Sequence, residues 1–191
     1  MGTVFTKEAQ FLIAGVGGQG VVTAASVLSR TATNLGMKVL GSETHGMSQR
    51  GGSVVSHWKV GDYAAPLIRK GAADCLLAFN ELEGYRNLDF VRTGGKALFN
   101  APDGQIREPA AKFFADQGVE VQAIDALAIV AERKAYKALN LLMLGFASSA
   151  GWLPFTAKSL EMTVSSFGKP QFREANLWAF NTGARMGREA K

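Results

Sequence analysis

The run Phe11-Leu-Ile-Ala-Gly15-Val-Gly17-Gly18-Gln19-Gly20 constrains the fold more than any other stretch of this chain. Residues 9–15 read as a continuous apolar strand entering a glycine turn. Residues 19–35 then carry small apolar side chains at helical spacing: Val21, Val22, Ala25, Val27 and Leu28, followed by Ala32 and Leu35. Gly36 suits a helix stop, and residues 37–41 form a second short strand. Strand, glycine turn, helix and strand in that order open an α/β protein.

The rest of the chain extends the alternation. Residues 53–60 alternate as a third strand does, and residues 74–79 read as a buried one. Asn80 caps a helix reaching about Val91, with Glu83 three residues on as in a capping box. Residues 96–100 and 119–124 are further strands, and Asp125 caps the helix after the second. Helices are expected over 136–150, 156–166 and 171–188. Between them lies a polar loop at 42–51. The pattern predicts a three-layer α/β/α fold with a mostly parallel sheet and a Rossmann-like opening. At 191 residues, 1–191 is a single domain.

Composition excludes several function classes. Hydrophobic residues make up 47% and charged residues 19%, a globular balance. The net charge of +5 is spread over scattered Lys and Arg with no interleaved aromatics, which argues against nucleic acid. Cys75 is the one cysteine, so no internal disulfide forms, and an iron–sulfur cluster needing about four thiolates finds no home here. The uncharged stretch at 138–157 is broken by Asn140, Gly145 and Pro154 and reads as a buried helix with its exit turn rather than a membrane span. No basic-then-apolar leader pattern is present, which points to the cytoplasm.

Gly15, Gly17 and Gly20 satisfy G-x-G-x-x-G between a strand and a helix. Glycines allow a tight turn, and the helix N-terminus offers unpaired N–H groups to an anion. No Lys follows Gly20, and no Lys or Arg occurs between Lys7 and Arg30. Any phosphate would be held by the backbone of Gly15, Gly17, Gly18, Gln19 and Gly20. The alternative is that the glycines only permit close strand–helix packing.

The second unusual stretch, Ser42-Glu43-Thr44-His45-Gly46-Met47-Ser48-Gln49-Arg50-Gly51-Gly52-Ser53, follows the second strand. It sets Glu43, His45, Gln49 and Arg50 among glycines at a strand's C-terminal end, where ligands gather in open α/β sheets. Arg50 suits a carboxylate or phosphate, or braces the loop by pairing with Glu43. A metal site is a poor reading, because Glu43 and His45 lack an evident third ligand. No G-x-S-x-G elbow supports a hydrolase. His57, between Ser56 and Trp58, reads as a structural histidine.

Residues 15–21 (Gly-Val-Gly-Gly-Gln-Gly-Val) and 42–54 together resemble the γ-type subunit of the 2-oxoacid:ferredoxin oxidoreductases. The similarity is greatest to the small subunit of the indolepyruvate branch. The second motif discriminates, since relatives of 2-oxoglutarate type carry a Pro-Ser-Tyr-Gly-Pro-Glu-like loop instead. The resemblance implies a complex that oxidatively decarboxylates a 2-oxoacid on thiamine diphosphate with Mg. Electrons pass through 4Fe–4S clusters to ferredoxin, and the acyl group passes to coenzyme A. It also implies a fold like domain III of pyruvate:ferredoxin oxidoreductase and a chain that is not catalytic alone. None of these cofactors would be held by this chain alone, which contains no Gly-Asp-Gly with a downstream Asn pair for the Mg–diphosphate.

The implied partners are larger thiamine- and cluster-bearing subunits, with ferredoxin reached through the complex. An isolated copy would pair with itself through the vacated apolar surface. Gly15, Gly17, Gly18, Gln19 and Gly20 would face coenzyme A, and Glu43, His45, Gln49 and Arg50 would meet the active site of the partner. One departure stands out: where pyruvate-type relatives carry a phosphate-reaching Lys, this chain has Thr23-Ala24-Ala25-Ser26. Arg50, Lys169 or the partner would then supply the cation. Pyruvate, 2-oxoglutarate and phenylglyoxylate oxidoreductases are the alternatives within the class. A free-standing dinucleotide-binding oxidoreductase, or a scaffold whose glycines only pack, are the alternatives outside it.

Overall fold

The computed structural model describes residues 8–46 and 51–190, with the backbone alone at His45. In chain order the elements are β1 (Ala9–Val16), α1 (Val21–Asn34), β2 (Val39–His45), β3 (Ser53–Val60), β4 (Ala73–Ala78), α2 (Glu81–Arg86), β5 (Val91–Asn100), α3 (Ala110–Asp116), β6 (Glu120–Ile124), α4 (Ala126–Ala131), α5 (Leu139–Ser149), α6 (Ala157–Ser166) and α7 (Arg173–Glu189).

The strands form one sheet in the order β2-β3-β1-β4-β5-β6. β1, β4, β5 and β6 pair in parallel. β3 is antiparallel to both of its neighbours, β1 and β2. Among the described residues it is the single reversed strand, so the sheet is mostly parallel as its alternation with helices predicts.

The opening departs from a Rossmann unit in one respect. β3 returns directly from β2 and takes the place beside β1, which pushes β2 to the sheet edge. The stretch expected as a loop at 42–51 is also partly strand. Ser42, Glu43, Thr44 and His45 continue β2, paired with His57, Ser56, Val55 and Val54. The backbone partner supplied by β3 extends a segment whose composition alone suggests a loop.

α2 is shorter than expected. The side chain of Asn87 donates to the Glu83 carbonyl at 2.8 Å. The chain then takes a 3-10 turn at Leu88–Phe90 and enters β5 at Val91, ahead of the expected residue 96. α3, only seven residues long, is too short to show a clear helical period in the sequence.

Alternate residues of β1 feed two separate cores, as strand geometry requires. Phe11 and Ile13 join Trp58, Leu77 and the apolar faces of α1, α5, α6 and α7. Leu12 and Ala14 join Leu76, Phe99 and Phe114 on the side covered by α2 and α3. Both faces are buried, which is why the strands read as unbroken apolar runs.

Every residue of α5 is buried, which accounts for its lack of charge. It meets α7 backbone to backbone: a Cβ added at Gly145 would stand 2.1 Å from the Phe180 carbonyl oxygen, and one at Gly183 1.9 Å from that of Leu142. Among the described residues no helix is long and apolar enough to cross a membrane.

Candidate functional site

The glycine loop is built from both ends. Gln19 donates its backbone N–H to the Val16 carbonyl at 3.1 Å, and its side-chain Oε1 accepts the Val16 N–H at 2.9 Å. The amide predicted to face a ligand therefore first closes the turn that it sits in. Gly20, in the left-handed conformation at φ 80°, starts α1. Its carbonyl accepts Asn140 Nδ2 at 3.1 Å, so the buried first turn of α5 fixes the mouth of the loop.

The two sequence motifs meet through the backbone. Gly17 donates its N–H to the Gly52 carbonyl at 2.9 Å, and Gly46 donates to the Ser53 carbonyl at 2.8 Å. This follows from β3 lying beside β1, where Val16 and Ser53 are the last register pair. Residues far apart in the chain thus share one sheet edge.

Glu43 does not join them. It pairs with Ser56 on β3, which in turn pairs with Ile13 of β1. Two strand spacings, roughly 10 Å, separate its backbone from β1. Its side chain lines a shallow groove with Ser26 and Ser29 of α1. An acid that takes a ribose beside the glycine loop sits on the strand adjacent to β1, and here that strand is β3. His45 pairs with Val54. Gln49 and Arg50 lie outside the described residues.

Two further groups stabilise this edge, and sequence reasoning missed the role of both. Glu83 is 2% exposed. Its N–H is capped by Asn80 Oδ1 at 3.2 Å. Its carboxylate accepts the Ser53 hydroxyl at 2.6 Å and pairs with Arg86. The expected cap is present, but the Glu83 carboxylate braces β3 instead of reaching back to Asn80. Asn100, buried at the end of β5, donates to the Phe79 carbonyl at 3.0 Å and accepts the Leu127 N–H at 3.2 Å. It ties β4 to α4. Nothing local in the sequence marks either contact, because both partners are remote.

Between these elements, at the C-terminal ends of the parallel strands, lies an open cleft of about 640 Å³ lined by Gln19, Asn80, Asn100, Asp125, Leu127 and Tyr136. The Asp125 carboxylate is committed to capping α4 through the Ala128 N–H at 2.9 Å. Leu82, Leu127 and Tyr136 stand exposed on the rim.

The chemistry of the described groups favours positioning over bond breaking. Burial pushes the Cys75 thiol well above its ordinary range, so it is no nucleophile. His57 Nδ1 accepts the Ile68 N–H at 3.1 Å. Burial, and secondarily Lys59, lower the His57 pKa and keep the ring neutral. Among the described residues no group of His, Cys, Asp and Glu gathers to hold a metal ion.

Residues 10–186 match the pyruvate ferredoxin/flavodoxin oxidoreductase family. Subunit IorB of indolepyruvate oxidoreductase from Thermococcus kodakarensis is 30% identical, over 96% of this chain and 98% of the relative. The γ subunit of a keto/oxoacid ferredoxin oxidoreductase from Geobacter sulfurreducens shares the fold with a TM-score of 0.75 at 21% identity, covering 96% of this chain and 99% of that one. The 2-oxoglutarate:ferredoxin oxidoreductase of Magnetococcus marinus, solved with 2-oxoglutarate, coenzyme A and succinyl-CoA, overlays at a TM-score of 0.78 and 21% identity. That overlay covers 96% of this chain but 31% of the longer one.

Proposed function

The chain belongs to the pyruvate ferredoxin/flavodoxin oxidoreductase family, and from that premise we propose that it is the small, γ-type subunit of an arylpyruvate:ferredoxin oxidoreductase of the indolepyruvate kind. It works inside an oxidoreductase complex and carries no reaction alone. Its larger partners hold thiamine diphosphate and the iron–sulfur clusters, which supply the decarboxylation and electron-transfer chemistry. This chain shapes part of the interface where the acyl group meets coenzyme A.

The observation that carries the reading is the Gly17–Gly52 hydrogen bond. It makes one composite edge of the two motifs that mark the family. Of the expected ligand-facing residues Gly15, Gly17, Gly18, Gln19 and Gly20, Gly15 is buried in β1 opposite Val54 and the Gly17 and Gln19 N–H groups bond within the fold, which leaves Gly18 and Gly20 to present backbone to the ligand, while Glu43, His45, Gln49 and Arg50 belong to the segment that meets the partner. The free-standing dinucleotide alternative is disfavoured by the position of Glu43, two strands from β1.

Affinity purification of the chain from its native cells tests the proposal. The expected result is a brown, thiamine-containing complex with a much larger partner, active on indolepyruvate above other 2-oxoacids. A colourless chain emerging alone would sink the subunit reading. A complex that prefers pyruvate or 2-oxoglutarate would sink the arylpyruvate assignment only.

A further inference from the structure

Residues 61–72 join β3 to β4 without a helix or strand of their own. Two side chains of β3 hold this strap down. His57 and Lys59 stand two residues apart, so both leave the same face of the sheet. His57 Nδ1 accepts the Ile68 N–H at 3.1 Å, and Lys59 Nζ donates to the Ala65 carbonyl at 2.9 Å. Both side chains are buried, as is Ile68, which shares a core with Leu12 and Leu76. Leu67, the residue before it, is 54% exposed.

The two bonds differ in what protons do to them. An imidazole nitrogen accepts only while the ring is neutral; once the ring is protonated, both nitrogens carry hydrogen. Two donors, Nδ1–H and the Ile68 N–H, would then face each other across the same gap. The groups around the ring do not offset this. Among the described residues no carboxylate pairs with it. Burial, and after it the charge of Lys59 on the same strand, lowers the His57 pKa. On the strap, Arg69 follows Ile68 and its charge acts on Lys59, which lies 4.9 Å from the centre of the Tyr63 ring. The acids flanking the strap, Asp62 and Asp89, are held by Lys38 and Lys70. Phe90 meets the imidazole as an uncharged ring, 5.7 Å away centre to centre. β1 and β2 place Leu12 and Ser42 in register with His57.

We propose that the strap is a pH-sensitive catch: protonation of His57 withdraws the acceptor that seats Ile68, and residues 61–68 lift while the sheet beneath them stays paired. The far end is the pivot. There the Gly71 N–H bonds to the Asp89 carbonyl at 2.9 Å and the Ala72 N–H to the Arg69 carbonyl at 3.1 Å, and neither bond involves a titrating group. The catch is shut at pH 6.5 and above, and it loosens as the pH falls from there towards the lower folded pKa of His57. Opening takes up one proton and brings Ile68 out beside Leu67, so the acid form gains an apolar patch that the neutral form lacks. The glycine edge is held at the other end of β3, through Gly52 and Ser53, and stays in place. The device goes beyond the subunit assignment and does not depend on it.

The test is amide hydrogen exchange on the full-length chain, followed by NMR between pH 7.5 and 5.5 and expressed as protection against the intrinsic rate at each pH. Protection of the Ile68 amide is expected to fall roughly five- to tenfold over that range. It is also expected to be insensitive to urea below the unfolding transition, the mark of a local opening. Leu77, in the core, should be more protected than Ile68 and should lose protection as urea is added. In His57→Gln an amide oxygen can accept the Ile68 N–H at every pH, so the fall at Ile68 should vanish. Should that variant fail to fold, the urea comparison in the parent chain still decides. Ile68 protection that ignores pH, that keeps its fall in His57→Gln, or that follows Leu77 in urea overturns the proposal. Because no partner subunit takes part, a chain that fails to assemble into an oxidoreductase leaves this result intact.

Discussion

The hydroxyl of Ser53, the first residue of β3, donates to the buried carboxylate of Glu83 at 2.6 Å. One hydrogen bond thus joins the second sequence motif to α2, and Glu83 reaches the glycine edge without touching the glycines. Ser53→Ala leaves one oxygen of a buried carboxylate without its donor and should cost about 1–3 kcal/mol. Urea denaturation reads this directly, and a stability equal to the parent would mean that water replaces the hydroxyl at no cost.

Gly20 is under a double constraint. Its φ is 80°, and an added Cβ would stand 2.6 Å from Asn140 Nδ2. Gly20→Ala should therefore lose the left-handed penalty, about 1–2 kcal/mol, plus the cost of displacing Asn140. In the Asn140→Ala background the same change should lose the backbone part alone. A double-mutant cycle on melting free energies checks this, and strict additivity would refute the contact.

The α5–α7 crossing predicts a larger loss. A Cβ at Gly183 would lie 1.9 Å from a carbonyl oxygen that belongs to the α5 backbone, so no rotamer change relieves it. Gly183→Ala should reach or exceed the upper end of the about 1–3 kcal/mol typical of overpacking. Failure to fold, or a melting point lower by several degrees, is the expected readout.

Acid stability should depend on His57. Its folded pKa lies below the ordinary histidine value of 6.5, first through burial and then through the Lys59 charge. Below the unfolded pKa the unfolded chain binds more protons than the folded one, so stability is full above about pH 6.5 and falls as the pH drops towards the folded pKa. His57→Gln should flatten that part of the stability profile. A slope between pH 6.5 and 5 that is unchanged in the variant would assign it to other groups.

Arg50→Ala should abolish turnover by the assembled complex while the melting curve of the isolated chain stays put. Retained turnover would remove Arg50 from the active-site interface. The comparison needs both readouts, because loss of assembly and loss of activity are distinguished by co-purification of the partner.

The sequence made the layered α/β architecture legible where one signal was local and strong: the apolar run of β1, the small-residue face of α1, the uncharged span of α5. It was silent where the signal lay in pairing. Nothing in residues 53–60 tells a strand which direction to run, so the reversal of β3 could not be read from it. Glu43 looked like loop because the residues that make it strand are on β3. The capping role of Asn80 was visible three residues away, whereas the second role of Glu83 depends on a serine 30 residues back.

Because β3 runs against its neighbours, the end of β2 and the start of β3 meet at a base clamped by Gly46–Ser53 and Gly17–Gly52. The register of β1 and the turn that starts α1 are thereby tied together by backbone hydrogen bonds that any side chain would leave in place. A lineage can exchange side chains around this clamp and leave the backbone of the domain as inherited.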